Sequence, residues 1–441
     1  MQLKVHGFIT LTCWVLVCLC SSCAYNTRQA QIKRQFKHSA LMSGHFTGFA
    51  LYDLDNNKMV YELNSDKYFN PASNTKLFTF YASLKMLGDS IPALKYVIHN
   101  DSLIFWGTGD PSFLHSDLKG VNGYKLLKNS GKNLYYSPIS YTGNPYGPGW
   151  AWDDYNDYYQ SEINDLPLQD NLATIYADEY DSLQIKPAYL KKYLLCDSTY
   201  RPAKFHIKRD ILSNTFVYPF MPLPKSFKQQ VPWKTSPQLT AELLQDTLKL
   251  PVTLVRQPLP ADAKTIYNTN ADTVYRHMLQ PSDNFIAEQL LLLCSSTKFK
   301  TLNTDSAINY AKAHLLNDLP DAPVWVDGSG LSRYNLFTPR SIIKLLCKIQ
   351  GAVNNEELLH SMLAAGGSSG TVKRAYTTPN GRPFVWLKTG SFSNNYNQSG
   401  YLITKKGKRL AFVFMNNNFT EPISKIRDEM VRIVTSIHDE N

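Results

Sequence analysis

Three short motifs, far apart in the chain, place the strongest constraint on any fold it adopts. Ser73-Asn74-Thr75-Lys76, Ser282-Asp283-Asn284 and Lys388-Thr389-Gly390 occur in that order. Together they hold an acylatable serine, a base, a proton shuttle and a clamp for an anion, and these act only if they meet. From Ser73 to Ser282 is 209 residues (282 − 73). A single helix-and-strand connection needs far fewer. The fold must therefore leave the first motif, build something substantial and return. The expected division is a leader over 1–23, a first catalytic part over 24–94, one or two inserted β-rich domains over 95–265, and a second catalytic part over 266–441.

Local patterns place each motif on an element. Residues 47–53 and 59–63 alternate like strands across a turn at 55–58. An apolar helical run over 77–87 stops at Gly88, so Ser73 falls at a helix start with Lys76 three residues on and on the same face. The positive end of that helix favours a developing anion. Residues 182–185 and 205–208 read as strands, 237–248 as a helix, and 25–43 as a tether or initial helix. Residues 272–279 read as a helix ended by Pro281, with Ser282-Asp283-Asn284 in a tight turn before a helix over 285–294. Residues 325–331 read as a strand entering a Gly-rich loop. A β run over 384–387 carries Lys388-Thr389-Gly390 at its end. Strands over 401–405 and 409–415 and a helix over 422–438 complete the chain. The fold class expected is α/β (α+β), an antiparallel sheet flanked by helices.

The chemistry follows from residue types. A serine hydroxyl is a poor nucleophile until a base takes its proton. No histidine lies near the three motifs, so Lys76 is the candidate base. Burial lowers a lysine's pKa and a second cation lowers it further, a role open to Lys388. Ser73 then attacks, Lys76 accepts its proton and Ser282 relays one to the leaving amine. Asn284 hydrogen-bonds a substrate peptide, Lys388 supplies positive potential and Thr389 holds a terminal carboxylate. Backbone N–H groups of Ser73 and Ser391 form an oxyanion hole. Such a set belongs to serine enzymes that attack D-alanyl peptides or β-lactams. Taken singly, Ser73 could be a helix cap and Ser282 and Asn284 turn residues.

With 46 Lys and Arg against 36 Asp and Glu, the chain is formally +10, which suits an anionic partner or a solvated basic surface. No nucleic-acid motif occurs, so nucleic acid is not an expected partner. H-E-x-x-H does not occur and the one C-x-x-C, Cys20-Ser21-Ser22-Cys23, lies in the leader, so no metal and no cofactor is expected. Lys4, an apolar stretch over 8–20 and Ser21-Ser22-Cys23-Ala24 read as a secretory signal. Cleavage before Cys23 gives a lipid-modified cysteine and a membrane-anchored product; cleavage after Ala24 gives a soluble, periplasmic one. Cys196, Cys294 and Cys347 read as core thiols.

The chain resembles the low-molecular-mass class C penicillin-binding proteins, which are D-alanyl-D-alanine carboxypeptidases and endopeptidases. The resemblance extends from the three motifs to Gly107-Thr108-Gly109-Asp110-Pro111, Asp327-Gly328-Ser329-Gly330-Leu331-Ser332-Arg333 and Gly370-Thr371. It implies a transpeptidase-like (serine β-lactamase-like) domain with inserted domains, and acylation of Ser73 by peptidoglycan stem peptides. It also implies cleavage of D-Ala-to-diaminopimelate cross-links and covalent inhibition by β-lactams. By the same resemblance, Asp154 and Arg333 read the two ends of a zwitterionic stem side chain. Two alternatives compete: a β-lactamase, whose E-x-x-L-N deacylation pattern is missing, and a non-catalytic cell-wall binding protein.

Overall fold

The structure, a computed structural model, describes residues 29–440 apart from 116, 119, 139, 140, 142 and 300. The expected leader and Cys23 lie outside the described residues. Residues 29–38 are helical. Strands β1 (Phe46–Asp53) and β2 (Lys58–Leu63) form the expected hairpin, followed by a 3-10 turn at Ala72–Thr75 and the helix Lys76–Met86.

The chain then leaves through β3 (Ser90–His99), β4 (Ser102–Gly107) and β5 (Asn133–Tyr136). Short strands follow: β6 (Leu172–Ala177), β7 (Leu183–Lys186), β8 (Leu194–Asp197), β9 (Lys208–Arg209), β10 (Phe216–Pro219) and β11 (Lys228–Pro232). The helix Pro237–Leu248, β12 (Val252–Leu254) and β13 (Lys264–Asn270) bring it back. These strands form a five-stranded sheet, β12-β5-β4-β3-β13, and two three-stranded sheets, β8-β10-β9 and β11-β6-β7. Phe105, Tyr136, Ile175, Phe216 and Trp233 share one core among them. The expected strand over 205–208 shrinks to Lys208–Arg209. The Gln229 side chain takes both the N–H and the C=O of Ile207 at 2.8 Å, groups a longer ladder would need.

After the return, β14 (Ala364–Ala365), β15 (Val385–Phe392), β16 (Asn395–Ile403) and β17 (Arg409–Asn417) complete a six-stranded sheet ordered β14-β15-β16-β17-β1-β2, with each adjacent pair antiparallel. Period-two alternation covers both faces. Ala411, Val413 and Met415 pack with the helices Lys76–Met86, Asn284–Phe299 and Pro339–Val353. Leu410, Phe412 and Phe414 pack with Ile426, Met430 and Ile433 of the Ile423–Glu440 helix and with Phe36. Burial on both faces explains why this strand reads as a nearly unbroken apolar run.

Two expectations are corrected. Residues 325–331 form no strand, only an isolated pairing of Val324 with Leu336. The Asp327 carboxylate captures the N–H groups of Gly330 (2.9 Å) and Ser332 (2.7 Å), so the backbone wraps around it instead of laddering. Cys196 is exposed on β8, whereas Cys294 is buried and Cys347 half-buried; all three are free thiols.

Candidate active site

The first motif sits under β15. A Cβ on Gly390 would lie 2.3 Å from the Pro71 carbonyl oxygen and 3.0 Å from the Ser73 nitrogen. Glycine is therefore needed for β15 to lie against the Ala72–Thr75 turn. Asn74 ties that turn to the next strand, donating to Ser399 Oγ at 2.8 Å.

Lys76 is fully buried. Its Nζ donates to Ser73 Oγ at 3.0 Å, to Asn284 Oδ1 at 2.6 Å and to the Ser329 carbonyl at 2.7 Å. Burial pushes its pKa down to about 8, against the pull of the Asp283, Asp327 and Glu288 carboxylates. A fall of that size disfavours the charged form by about 3 kcal/mol. Burial, not a second cation, is the first cause of this fall, and the repulsion between the two lysines is felt at Lys388. Lys388 is itself held well below the usual lysine range, first by burial and then by the charge of Lys76.

The second and third motifs form their own pair. Lys388 Nζ donates to Ser282 Oγ and to the Thr389 carbonyl, each at 2.7 Å. Ser282 has φ +70, in the left-handed region, which turns the chain sharply before the Asn284–Phe299 helix. Asp283 caps that helix, accepting from the Ile286 N–H at 2.8 Å. Thr389 Oγ1 bonds Thr371 Oγ1 at 2.8 Å. The motifs thus present two hydrogen-bonded pairs, Lys76–Ser73 and Lys388–Ser282, on one cleft of about 910 Å³. Its lining includes Ser73, Ser282, Asn284, Thr389, Ser391, Asp154 and Arg333.

The sequence missed the backbone carbonyls of Tyr159 and Ser329 and the carboxylate of Glu288. Asn284 uses Oδ1 on Lys76 and donates from Nδ2 to the Tyr159 carbonyl at 3.0 Å, so the 150s segment forms a cleft wall. Glu288, buried in an apolar helix, accepts from the N–H groups of Gly328 (3.0 Å) and Ser329 (2.7 Å). It thereby fixes the carbonyl that receives Lys76. Asp154 lies half-buried in the wall beside the Tyr159 hydroxyl, and burial raises its pKa. Exposed Arg333 stacks over Phe392 with its guanidinium carbon 4.9 Å from the ring centre. Among the described residues no group of His, Cys, Asp and Glu side chains could hold a metal ion.

Residues 28–197 and 223–437 match the D-Ala-D-Ala carboxypeptidase 3 (S13) family. The chain belongs to that family. This S13 peptidase is a serine-type hydrolase of the D-Ala-D-Ala carboxypeptidase class. It is 24% identical to D-alanyl-D-alanine carboxypeptidase DacB of Haemophilus influenzae over 433 residues, covering 86% of this chain and 87% of the relative. It is 23% identical to penicillin-sensitive carboxypeptidase A of Dictyostelium discoideum over 399 residues, covering 78% and 76%. In fold the S13 peptidase is similar to the crystal structure of penicillin binding protein 4 (dacB) from Haemophilus influenzae. The TM-score is 0.73 with 22% identity, covering 93% of this chain and 98% of the other.

Proposed function

We propose that this S13 peptidase cleaves the terminal D-Ala of peptidoglycan stem peptides, and their D-Ala cross-links, through an acyl-enzyme on Ser73. The observation that carries this reading is the Ser73–Lys76 contact at 3.0 Å on a cleft that also presents the Ser282–Lys388 pair. Ser73 Oγ attacks the penultimate D-Ala carbonyl and its proton passes to Lys76 Nζ. The N–H groups of Ser73 and Ser391 face the oxyanion. The C–N bond breaks, and Ser282 Oγ hands a proton to the leaving amine and is refilled by the proton that Lys76 took from Ser73, which leaves Lys76 neutral for the second step. Water then hydrolyses the ester and restores Ser73. Asn284 has a second Nδ2–H free of the Tyr159 bond for the substrate backbone. Thr389, beside Thr371, holds the terminal carboxylate, and the stretch 95–265 is an inserted unit that supplies a cleft wall. The chain works outside the cytoplasmic membrane, and a lipid on Cys23 anchors it there.

A β-lactam is the covalent probe. Incubation with a fluorescent penicillin, digestion and mass spectrometry should find the label on the peptide containing Ser73. A label elsewhere, or none, sinks the reading. Digestion of cross-linked muropeptides then shows which bond is cut.

Asp154 and Arg333, which both line the cleft, grip the charged end of the third stem residue. Arg333→Ala and Asp154→Asn should each lower kcat/KM on stems ending that residue in a zwitterion by about tenfold. Acylation by penicillin, which lacks that group, should change little. Equal losses on both substrates would make the two residues structural.

A further inference from the structure

The basic charge of the chain is concentrated in one place. Residues 186–234 hold ten Lys and Arg against two Asp, a net +8 of the chain's +10. Nine of the ten are exposed; only Arg209 is buried. Among the described residues, Lys234 alone of the nine is within ion-pair distance of a carboxylate, 3.9 Å from Glu162. Lys186 and Lys228 lie on the sheet β11-β6-β7, Lys208 lies on the small sheet β8-β10-β9, and Lys191, Lys192, Arg201 and Lys204 flank its strands in the chain. Its register aligns Leu195 with Val217 and Val217 with Lys208, so these three side chains share one face. The opposite face, with Phe216 and Arg209, is buried.

The outer face is apolar as well as basic. Leu195 is 51% exposed. At one end of β10, the hairpin loop presents Ile211 and Leu212, and Leu212 is 81% exposed. At the other end, Phe220 is 79% exposed and is followed by exposed Met221. The two carboxylates nearby are already engaged: Asp197 accepts from Thr199 and Asp210 from the Leu212 N–H. Residues 198–222, which carry Lys204, Lys208, Leu212 and Phe220, fall between the two segments that match the family, whereas Leu195 lies within the first.

We infer that the β8-β10-β9 face is a membrane-docking platform for an anionic lipid bilayer. Lysines around it are drawn to lipid phosphates across roughly a Debye length, about 10 Å at ordinary ionic strength. Leu195, Leu212 and Phe220 then enter the boundary between headgroups and acyl chains, where exposed apolar side chains gain burial. A soluble polyanion would use the lysines and leave these apolar groups in water, so the protruding side chains favour lipid. The platform is tied to the catalytic cleft. Asn156 bonds the Arg209 N–H at 2.7 Å and the Ile207 carbonyl at 3.0 Å, three residues before Tyr159 of the cleft wall. Docking would therefore orient the cleft relative to the bilayer, independently of any lipid on Cys23.

The test uses the full secreted chain carrying Cys23→Ala, so that no lipid is attached. It is sedimented with vesicles of phosphatidylethanolamine containing about one-third phosphatidylglycerol, and with neutral phosphatidylcholine vesicles. Binding to the anionic vesicles alone is expected, weakened by salt. The Leu212→Ser/Phe220→Ser pair should weaken it about tenfold or more, and Lys204→Glu/Lys208→Glu comparably. Penicillin labelling of Ser73 should be unchanged in both variants, which shows that they fold. No sedimentation with anionic vesicles overturns the inference. So does binding that the serine pair leaves intact, because that pattern marks a polyanion or protein site.

Discussion

Replacing Lys76 by methionine is expected to slow acylation by penicillin on the order of 10²–10⁴-fold, the range of a positioned general base. Lys76 is the only side chain that hydrogen-bonds Ser73 Oγ among the described residues. Methionine keeps the length of the side chain and removes the base. Stability should move much less than rate, because two effects oppose each other. Removing a buried ammonium relieves about 3 kcal/mol of disfavoured charge. Leaving Asn284 Oδ1 and the Ser329 carbonyl without a donor costs about 1–3 kcal/mol each. A melting curve near that of the wild type, with acylation nearly abolished, separates chemistry from unfolding. A variant acylated within tenfold of the wild-type rate would put the base elsewhere.

On the proposed mechanism, the same lysine should set the pH dependence. The base must be neutral to accept a proton, and burial places its pKa at about 8. Acylation should therefore rise with pH through the region near 8 and level above it, and this limb should vanish in Lys76→Met. Stability follows with its own sign. The folded pKa lies below the unfolded value, so between about 8 and 10.5 the unfolded chain binds more protons at this site. Below that window the penalty on folding is complete, and it is relieved as pH rises through it. A flat acylation profile from pH 6 to 9 would refute Lys76 as the titrating base.

Much of this arrangement is legible in the sequence, for reasons that single residues show. The helix Pro237–Leu248 announces itself through Ser236, which caps it at the Leu239 N–H, and through proline in its first turn. The helix Ala271–Leu279 does so through Asn270, which accepts from Asp272. The three motifs carry side chains whose chemistry has few other uses in combination. What stays hidden is work done by the backbone. The Tyr159 carbonyl that receives Asn284 and the Ser329 carbonyl that receives Lys76 exist in every residue type, so no letter marks them. Glu288 is a charge within an apolar helix, and only the fold shows that it faces the loop at 327–332. The strand reading fails there for a related reason: a segment becomes a loop when one carboxylate, Asp327, offers the N–H groups of Gly330 and Ser332 a better partner than a neighbouring strand does.

That loop carries the second large prediction. Gly330 has φ +82, and a Cβ there would lie 2.0 Å from the Ala72 carbonyl oxygen and 2.9 Å from Thr75 Oγ1. Gly330→Ala should therefore destabilise the protein by about 3 kcal/mol or more, from conformation and collision together. Gly407 separates the two contributions. It has φ +78, and a Cβ there would meet nothing within 4 Å, so Gly407→Ala should cost only the left-handed strain, about 1–2 kcal/mol. The excess at Gly330 is the cost of pushing the 327–332 loop off the Ala72–Thr75 turn. Because that loop holds the Ser329 carbonyl against Lys76 and the turn holds Ser73, the same displacement should lower penicillin acylation in whatever Gly330→Ala protein folds. Paired denaturant melts of the two variants give the difference directly. Equal losses would mean that the loop and the nucleophile's turn are not in contact.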